Sequence, residues 1–218
     1  MTVRDTLRTL ALPARLPQRI SSRPARMDRV GNIVLVRHGE TEWSRAHKHT
    51  SYTDLPLTEE GERQAKALAR TLASRRFVAV LSSPRQRALR TAELAGLTVT
   101  AVDEDLAEWN YGDYEGLTTA EIRHTRPGWS LWTDGCPGGE SPEQVGARLD
   151  RVLARIRPLL ADGDVVVGHG HSLRVLGARW VGLPPSAGAL LRLDTATLSE
   201  LGFEHEREVI LRWNAPVT

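Results

Sequence analysis

Arg37-His38-Gly39 sets a fixed cation, a titratable ring and a residue without a side chain next to one another. The trio suits an anion: arginine offers planar, bidentate donors, glycine lets backbone come close, and histidine serves as nucleophile, proton carrier or metal ligand. A second histidine, His169, stands between Gly168 and Gly170, with His171 and Ser172 following. Two histidines two residues apart, without carboxylate partners, make a poor metal site, so neither a metal nor a cofactor is expected. Glu108 lies among Trp109, Tyr111 and Tyr114, an apolar setting that would favour its protonated, proton-donating form. Arg87 follows Ser83-Pro84-Arg85-Gln86, which has the serine, proline and glutamine of a capping box. It therefore falls in the first turn of a helix, where free backbone N–H groups favour an anion.

These side chains act together only if the chain gathers them. Ile33 to Val36 is a short apolar run without alternation, three of its four residues β-branched, as expected of a strand buried on both faces. Phe77 to Leu81, Val99 to Val102 and Val165 to Val167 are further strand candidates. Helices are expected from Thr58, whose stripe is Ala65, Leu68, Ala69 and Leu72, and from Ser141, whose stripe is Val145, Leu149, Val152, Ile156 and Leu159. Leu117 to His124 and residues 171 to 181 also read as helical, and Leu198 to Phe203 and Val209 to Trp213 as closing strands. The alternation predicts an α/β fold with a mainly parallel sheet between two layers of helices. Ligands bind outside the carboxyl ends of such strands, so Arg37, His38, Arg87 and His169 should meet at one edge.

Thr41 to Thr58 leaves the first strand as a polar loop able to wrap a ligand, with His47, Lys48 and His49 individually expected in solvent. Pro127 to Gly139 reads as a Trp- and Gly-rich loop in a cap over the sheet edge. The lone Cys136 excludes an internal disulfide, reads as an unreactive thiol and fits a cytoplasmic setting. No apolar run reaches the roughly 18 residues of a membrane span. The chain carries a net charge of +2, but residues 1–26 hold six arginines against one acid and so contribute +5, leaving the body at −3. No nucleic-acid partner is expected of such a body. Residues 1–26, with Pro13, Pro17 and Pro24, read as a disordered or misannotated extension with Met27 as the start; a targeting segment or a partner-binding arm are the alternatives.

Two arginines and two histidines at one edge complement a phosphoryl group. In-line transfer to a nitrogen of His38 then needs only cations on the equatorial oxygens and an acid for the leaving alkoxide, for which Glu108 is the candidate. The sequence resembles the histidine phosphatase superfamily, the phosphoglycerate mutase-like family. The resemblance is carried by Arg37-His38-Gly39-Glu40-Thr41, Ser82-Ser83-Pro84 with Arg87, Glu108 followed by Tyr111-Gly112 and Glu115-Gly116, Gly139-Glu140-Ser141, and Gly168-His169-Gly170, in family order over about residues 31 to 214. It implies a three-layer α/β/α sandwich over residues 27–218 with a small cap insertion at about 104–140. It also implies His38 as the phosphorylated nucleophile, Arg37, Arg87 and His169 as the phosphate pocket, and Glu108 as proton donor. Thr50 matches a frequent phosphate-contacting threonine, whereas Ser44 and Ser51 stand where the family commonly has Asn and Gly, so substrate contacts are expected at Ser44, Thr50 and Ser51 in altered form. Cofactor-dependent mutases of the family carry Glu-Arg-His-Tyr-Gly at the acid, and this chain reads Glu108-Trp109-Asn110-Tyr111-Gly112. Loss of the basic pair favours hydrolysis, in a branch resembling sedoheptulose-bisphosphatase-type enzymes and bacterial acid phosphatases. The expected partner is a small phosphate ester, a sugar phosphate first; a mutase and an inactive phosphate-binding scaffold are the alternatives.

Overall fold

The computed structural model describes residues 31–161, 164–168 and 170–217. The leader over residues 1–26, Met27 and His169 lie outside the described residues.

Every residue of β1 (Ile33–Val36) is buried, and its alternate side chains feed two cores. Ile33 and Leu35 pack with Val145, Leu149, Val152 and Ile156 of α6 (Pro142–Ile156) and with Leu173 and Leu176 of α7 (His171–Trp180). Val34 and Val36 pack on the opposite face with Leu68 and Leu72 of α2 (Glu59–Leu72). Helices thus cover both faces of the sheet, and each buried Leu, Ile or Val contributes roughly 1.5–3 kcal/mol. No described helix is long and apolar enough to cross a membrane.

The sheet has the order β3-β2-β4-β1-β5-β6, with β2 at Phe77–Ser82, β3 at Ala101–Val102, β4 at Asp164–Gly168, β5 at Leu198–Glu204 and β6 at Arg207–Ala215. It is mixed. The first four strands in that order pair in parallel, while β5 runs antiparallel to β1 and β6 antiparallel to β5. Strand–helix alternation accounts for the parallel half, since parallel neighbours need a crossover. The antiparallel pair needs none: a tight turn at His205, in left-handed backbone with φ 55°, joins β5 to β6 and leaves that side chain exposed. In the parallel half, Val36 and Ser82 both stand beside Gly168, so the carboxyl ends of three strands come level.

Local signals behave differently at the two helices that open with serine and proline. At α6, Ser141 and Gln144 exchange the paired bonds of a capping box and Pro142 occupies the first turn. At α3 (Gln86–Leu94) the expected box does not form: the cap is Arg85, with no side-chain bond, and the Gln86 N–H instead donates to Asp54 Oδ1 at 2.9 Å. A carboxylate from a distant loop thus takes the place assigned to Ser83. The expected loop at Pro127 to Gly139 contains a helical turn, α5 (Leu131–Asp134), after α4 (Thr119–Thr125). Trp109, Tyr111, Ile122 and Trp129 of this region are buried in the same core as Ile33 and Leu35.

Candidate active site

The backbone that leaves β1 carries Arg37 and His38 directly to the edge where three strand ends are level. His38 is 5% exposed, and its Nδ1 lies 2.8 Å from the Gly39 carbonyl oxygen. A carbonyl can only accept, so Nδ1 bears the proton and the lone pair of the neutral ring is on Nε2. Burial first, then the Arg87 and Arg37 charges, hold the His38 pKa well below its ordinary value, so the ring stays neutral. The absence of a side chain at Gly39 serves packing: a Cβ there would meet the Gly61 carbonyl oxygen at 2.3 Å, where the start of α2 crosses the strand exit.

Two arginines flank this ring. Arg37 donates from Nη1 to the Leu193 carbonyl at 2.5 Å. Arg87, 1% exposed, donates to the carbonyls of Thr50, Ser51 and Thr53 at 3.2–3.3 Å, and Asp54 is 4.0 Å away. Burial, opposed by the Glu108 charge, lowers the pKa of both guanidinium groups. The Nε atoms of both are buried without an acceptor among the described residues. Two desolvated cations with spare donors call for an anion.

Glu108 is 7% exposed, and its carboxylate sits on the start of α7. Oε1 accepts from the N–H groups of Ser172 at 2.8 Å and Trp109 at 2.9 Å, and Oε2 from the N–H of His171 at 2.7 Å. Of the aromatic neighbours expected to shield it, Tyr111 lines the same cavity, whereas the Trp109 indole N–H donates to the Glu140 carbonyl at 3.0 Å. Gly170 makes the fit possible. A Cβ there would lie 2.1 Å from Glu108 Oε2 and 3.7 Å from His38 Nε2, so the two groups share the space beside one glycine.

The Glu108 segment is held from behind by Arg148 of α6, a residue with no apparent role in the sequence alone. Its Nη1 donates to the carbonyls of Asp105 and Ala107 at 2.7 and 2.8 Å, and Nη2 to the carbonyl of Glu108 at 3.2 Å. Nε and Nη2 also grip Glu140 at 2.7 and 3.0 Å, and Glu140 Oε2 accepts the Asn110 N–H at 2.8 Å. Every N–H of the guanidinium is used on one loop and its clamp.

Arg37, His38, Glu108, Ser44 and Thr50 line one cavity of about 600 Å3. The Ser44 hydroxyl belongs to the capping box of α1 (Glu42–Arg45), accepting from the Thr41 N–H at 2.8 Å. The Thr50 hydroxyl donates to the Lys48 carbonyl at 3.1 Å. Ser51 is not on the wall: its hydroxyl donates to Glu115 at 2.5 Å, and its N–H donates to the same carboxylate.

Among the further residues that line the cavity, not assigned to the site from the sequence, are His49, Tyr111, His171 and Arg174. His49, expected in solvent, is 8% exposed, with its ring 4.7 Å from that of Tyr111. Burial pushes its pKa down to about 4, against the Glu115 charge. His171 Nδ1 and the Tyr111 hydroxyl share a hydrogen bond of 2.7 Å. Burial and the Arg174 and Arg37 charges lower the His171 pKa, and burial raises that of Tyr111, so both stay neutral. The signal for the buried rings was their place after strand ends, which alone does not tell a wall from a surface. Burial pushes the Cys136 thiol up to about 12. Among the described residues no group of three or more His, Cys, Asp or Glu is placed to hold a metal ion.

A histidine presenting Nε2 between desolvated arginines, with a carboxylate beside it, can receive a negatively charged electrophile and pass a proton. A family model described as histidine phosphatase superfamily (branch 1) matches residues 33–216. An acid phosphatase of Mycobacterium tuberculosis is 46% identical over 176 residues, covering 79% of this chain and 87% of that protein. A sedoheptulose 1,7-bisphosphatase of Saccharomyces cerevisiae is 38% identical over 182 residues, covering 69% and 67%. A solved structure of an open-reading-frame product of Mycobacterium tuberculosis superposes with a TM-score of 0.84 at 41% identity, covering 86% of this chain and 99% of that one. With a family model spanning the whole sheet, this chain belongs to the histidine phosphatase superfamily and is an enzyme of its first branch.

Proposed function

We propose that the protein hydrolyses small phosphate monoesters, a sugar phosphate first among them, through a phosphohistidine on His38. The observation that carries this reading is the His38 ring: Nδ1 is committed to the Gly39 carbonyl, and the neutral ring turns Nε2 toward the space shared with Glu108. Arg37 and Arg87 bring their unmatched N–H groups to the phosphoryl oxygens and stabilise the charge spread over them in transfer. His169 is assigned to the same pocket by the family resemblance. The Nε2 lone pair forms the P–N bond as the P–O ester bond breaks, and the leaving alkoxide takes its proton from Glu108. Glu108 then takes a proton from water, whose oxygen displaces His38 from phosphorus and frees inorganic phosphate. Oε2, with one backbone donor against two on Oε1, keeps the greater capacity for that proton. The sugar-phosphate reading draws support from the name of the yeast relative. The catalytic domain in this reading runs over residues 27–218, with residues 104–140 as a cap.

Incubation with a phosphoryl-labelled sugar phosphate should trap an acid-labile, alkali-stable phosphoprotein, absent from the His38→Ala variant, which should lose at least about 10³-fold in kcat. Full turnover without such a phosphoprotein would remove His38 from the nucleophile role. Assaying phosphoglycerates in parallel reads the alternative, since an isomerised product in place of released phosphate would mark a mutase.

A further inference from the structure

Most arginines in this fold that are shielded from water have a carboxylate or a backbone cage consuming their donors. Arg75 pairs with Asp164 and Glu200, Arg148 with Glu140, and Arg179 with Asp150. Arg174 is different. It lines the active-site cavity on α7, four residues beyond Gly170, and no carboxylate pairs with it among the described residues.

The side chain is nevertheless held still. Nε donates to the Gly188 carbonyl at 3.0 Å and Nη2 to the Ala189 carbonyl at 3.1 Å. The guanidinium lies over the Trp132 ring, 4.3 Å from its centroid. Trp132 is itself seated by Gly188, where a Cβ would meet the ring at 2.6 Å, and by edge contacts with Trp109 and His171. Stacking and two carbonyls fix the plane of the group and leave Nη1 without a hydrogen bond among the described residues. A cation fixed in this way has already lost its side-chain freedom, so binding an anion costs little further ordering. The burial that lowers its pKa to about 10, with the repulsion of Arg37, leaves the charge in place at neutral pH.

We propose that Arg174, stacked on Trp132, binds a second anionic group of the substrate, a phosphoryl or a carboxylate, so that the enzyme selects phosphate esters carrying two such groups. This rests on the reading of Arg37 and Arg87 as the site of the transferred phosphoryl group. The other cations on the cavity wall are engaged differently: Arg123 donates to the Trp129 carbonyl, Lys48 lies over Trp43, and Arg45 is 4.0 Å from Glu40. The second subsite is therefore on the α7 side of the cavity.

The test compares kcat/KM for fructose 1,6-bisphosphate, 3-phosphoglycerate, glucose 6-phosphate and p-nitrophenyl phosphate in the native protein and in Arg174→Gln and Arg174→Lys. The ratio of a two-anion substrate to p-nitrophenyl phosphate should fall about tenfold or more in Arg174→Gln, from the loss of a charge-assisted contact, and recover in part in Arg174→Lys. A fall confined to the bisphosphate assigns a phosphoryl group, and one confined to the phosphoglycerate a carboxylate. Equal losses on all four substrates, or no loss on any, would overturn the subsite. Calorimetric titration of fructose 1,6-bisphosphate and glucose 6-phosphate into His38→Ala, with and without Arg174→Gln, reads the same preference without turnover. A protein that hydrolyses none of the four would count against the catalytic reading, while the titration would still decide the subsite.

Discussion

A methyl group on Gly170 would press against Glu108 and reach toward His38 together, at 2.1 Å from Glu108 Oε2 and 3.7 Å from His38 Nε2. The Gly170 backbone, with φ −117° and ψ −114°, is not left-handed, so the demand for glycine here comes from the space. Gly170→Ala should therefore push the carboxylate off the N–H groups of His171 and Ser172 and lower kcat/KM by about 100-fold, with overpacking costing about 1–3 kcal/mol of stability. Steady-state assays beside a urea melt separate the two effects. A variant with native activity would show that Glu108 is free to move without consequence. Gly39 illustrates the opposite case, since its missing side chain makes room for α2 and not for a ligand.

At the scale of elements, α6 and α7 cooperate to place one carboxylate. The α7 start supplies two N–H donors to Glu108, and α6 supplies Arg148, which holds the carbonyls of residues 105, 107 and 108. Lysine cannot reproduce a planar five-donor fork. Glu108→Gln should slow alkyl phosphate esters strongly and activated aryl phosphates less, because only poor leaving groups depend on a well-placed proton donor, and Arg148→Lys should show the same pattern at about tenfold on alkyl esters. An equal loss on both kinds of ester would reduce Arg148 to a role in folding. The asymmetry between α3 and α6 belongs to this scale too. The α6 start is capped by its own residues and the α3 start by Asp54, more than thirty positions away.

For the molecule as a whole, burying neutral histidines has a consequence in acid. His38, His49 and His171 all have pKa values depressed by burial, His49 to about 4. Below about pH 6.5 the unfolded chain binds protons at these positions and the folded chain does not, so stability falls as the pH is lowered through that window. His49 alone should account for about 2 kcal/mol of loss between pH 7 and pH 5, where carboxylates of ordinary pKa have barely begun to titrate. Urea unfolding at the two pH values should show His49→Gln losing less stability on acidification than the native protein. A variant with an unchanged difference would mean that the His49 ring is protonated in the fold.

Features that depend on neighbours in the chain could be read from residue order alone. The unbroken apolar run of Ile33 to Val36 specified a strand buried on both faces, the three-and-four spacing from Val145 to Ile156 a helix stripe, and Ser141 to Gln144 its cap. The exit of β1 likewise announced Arg37 and His38 as residues with chemistry, and the aromatic neighbours announced Glu108; all three line one cavity. Tertiary structure decided the rest: the antiparallel β5 and β6 beside β1, the seat of Glu108 on α7, the clamp from Arg148, the burial of His49 and the turning of Ser51 to Glu115. The physical reason is the range of each force. Backbone propensity, capping and hydrophobic period act over a few residues and are written in order, whereas a buried polar group takes whichever partner the packed core delivers. For Glu108 that partner lay more than sixty residues away.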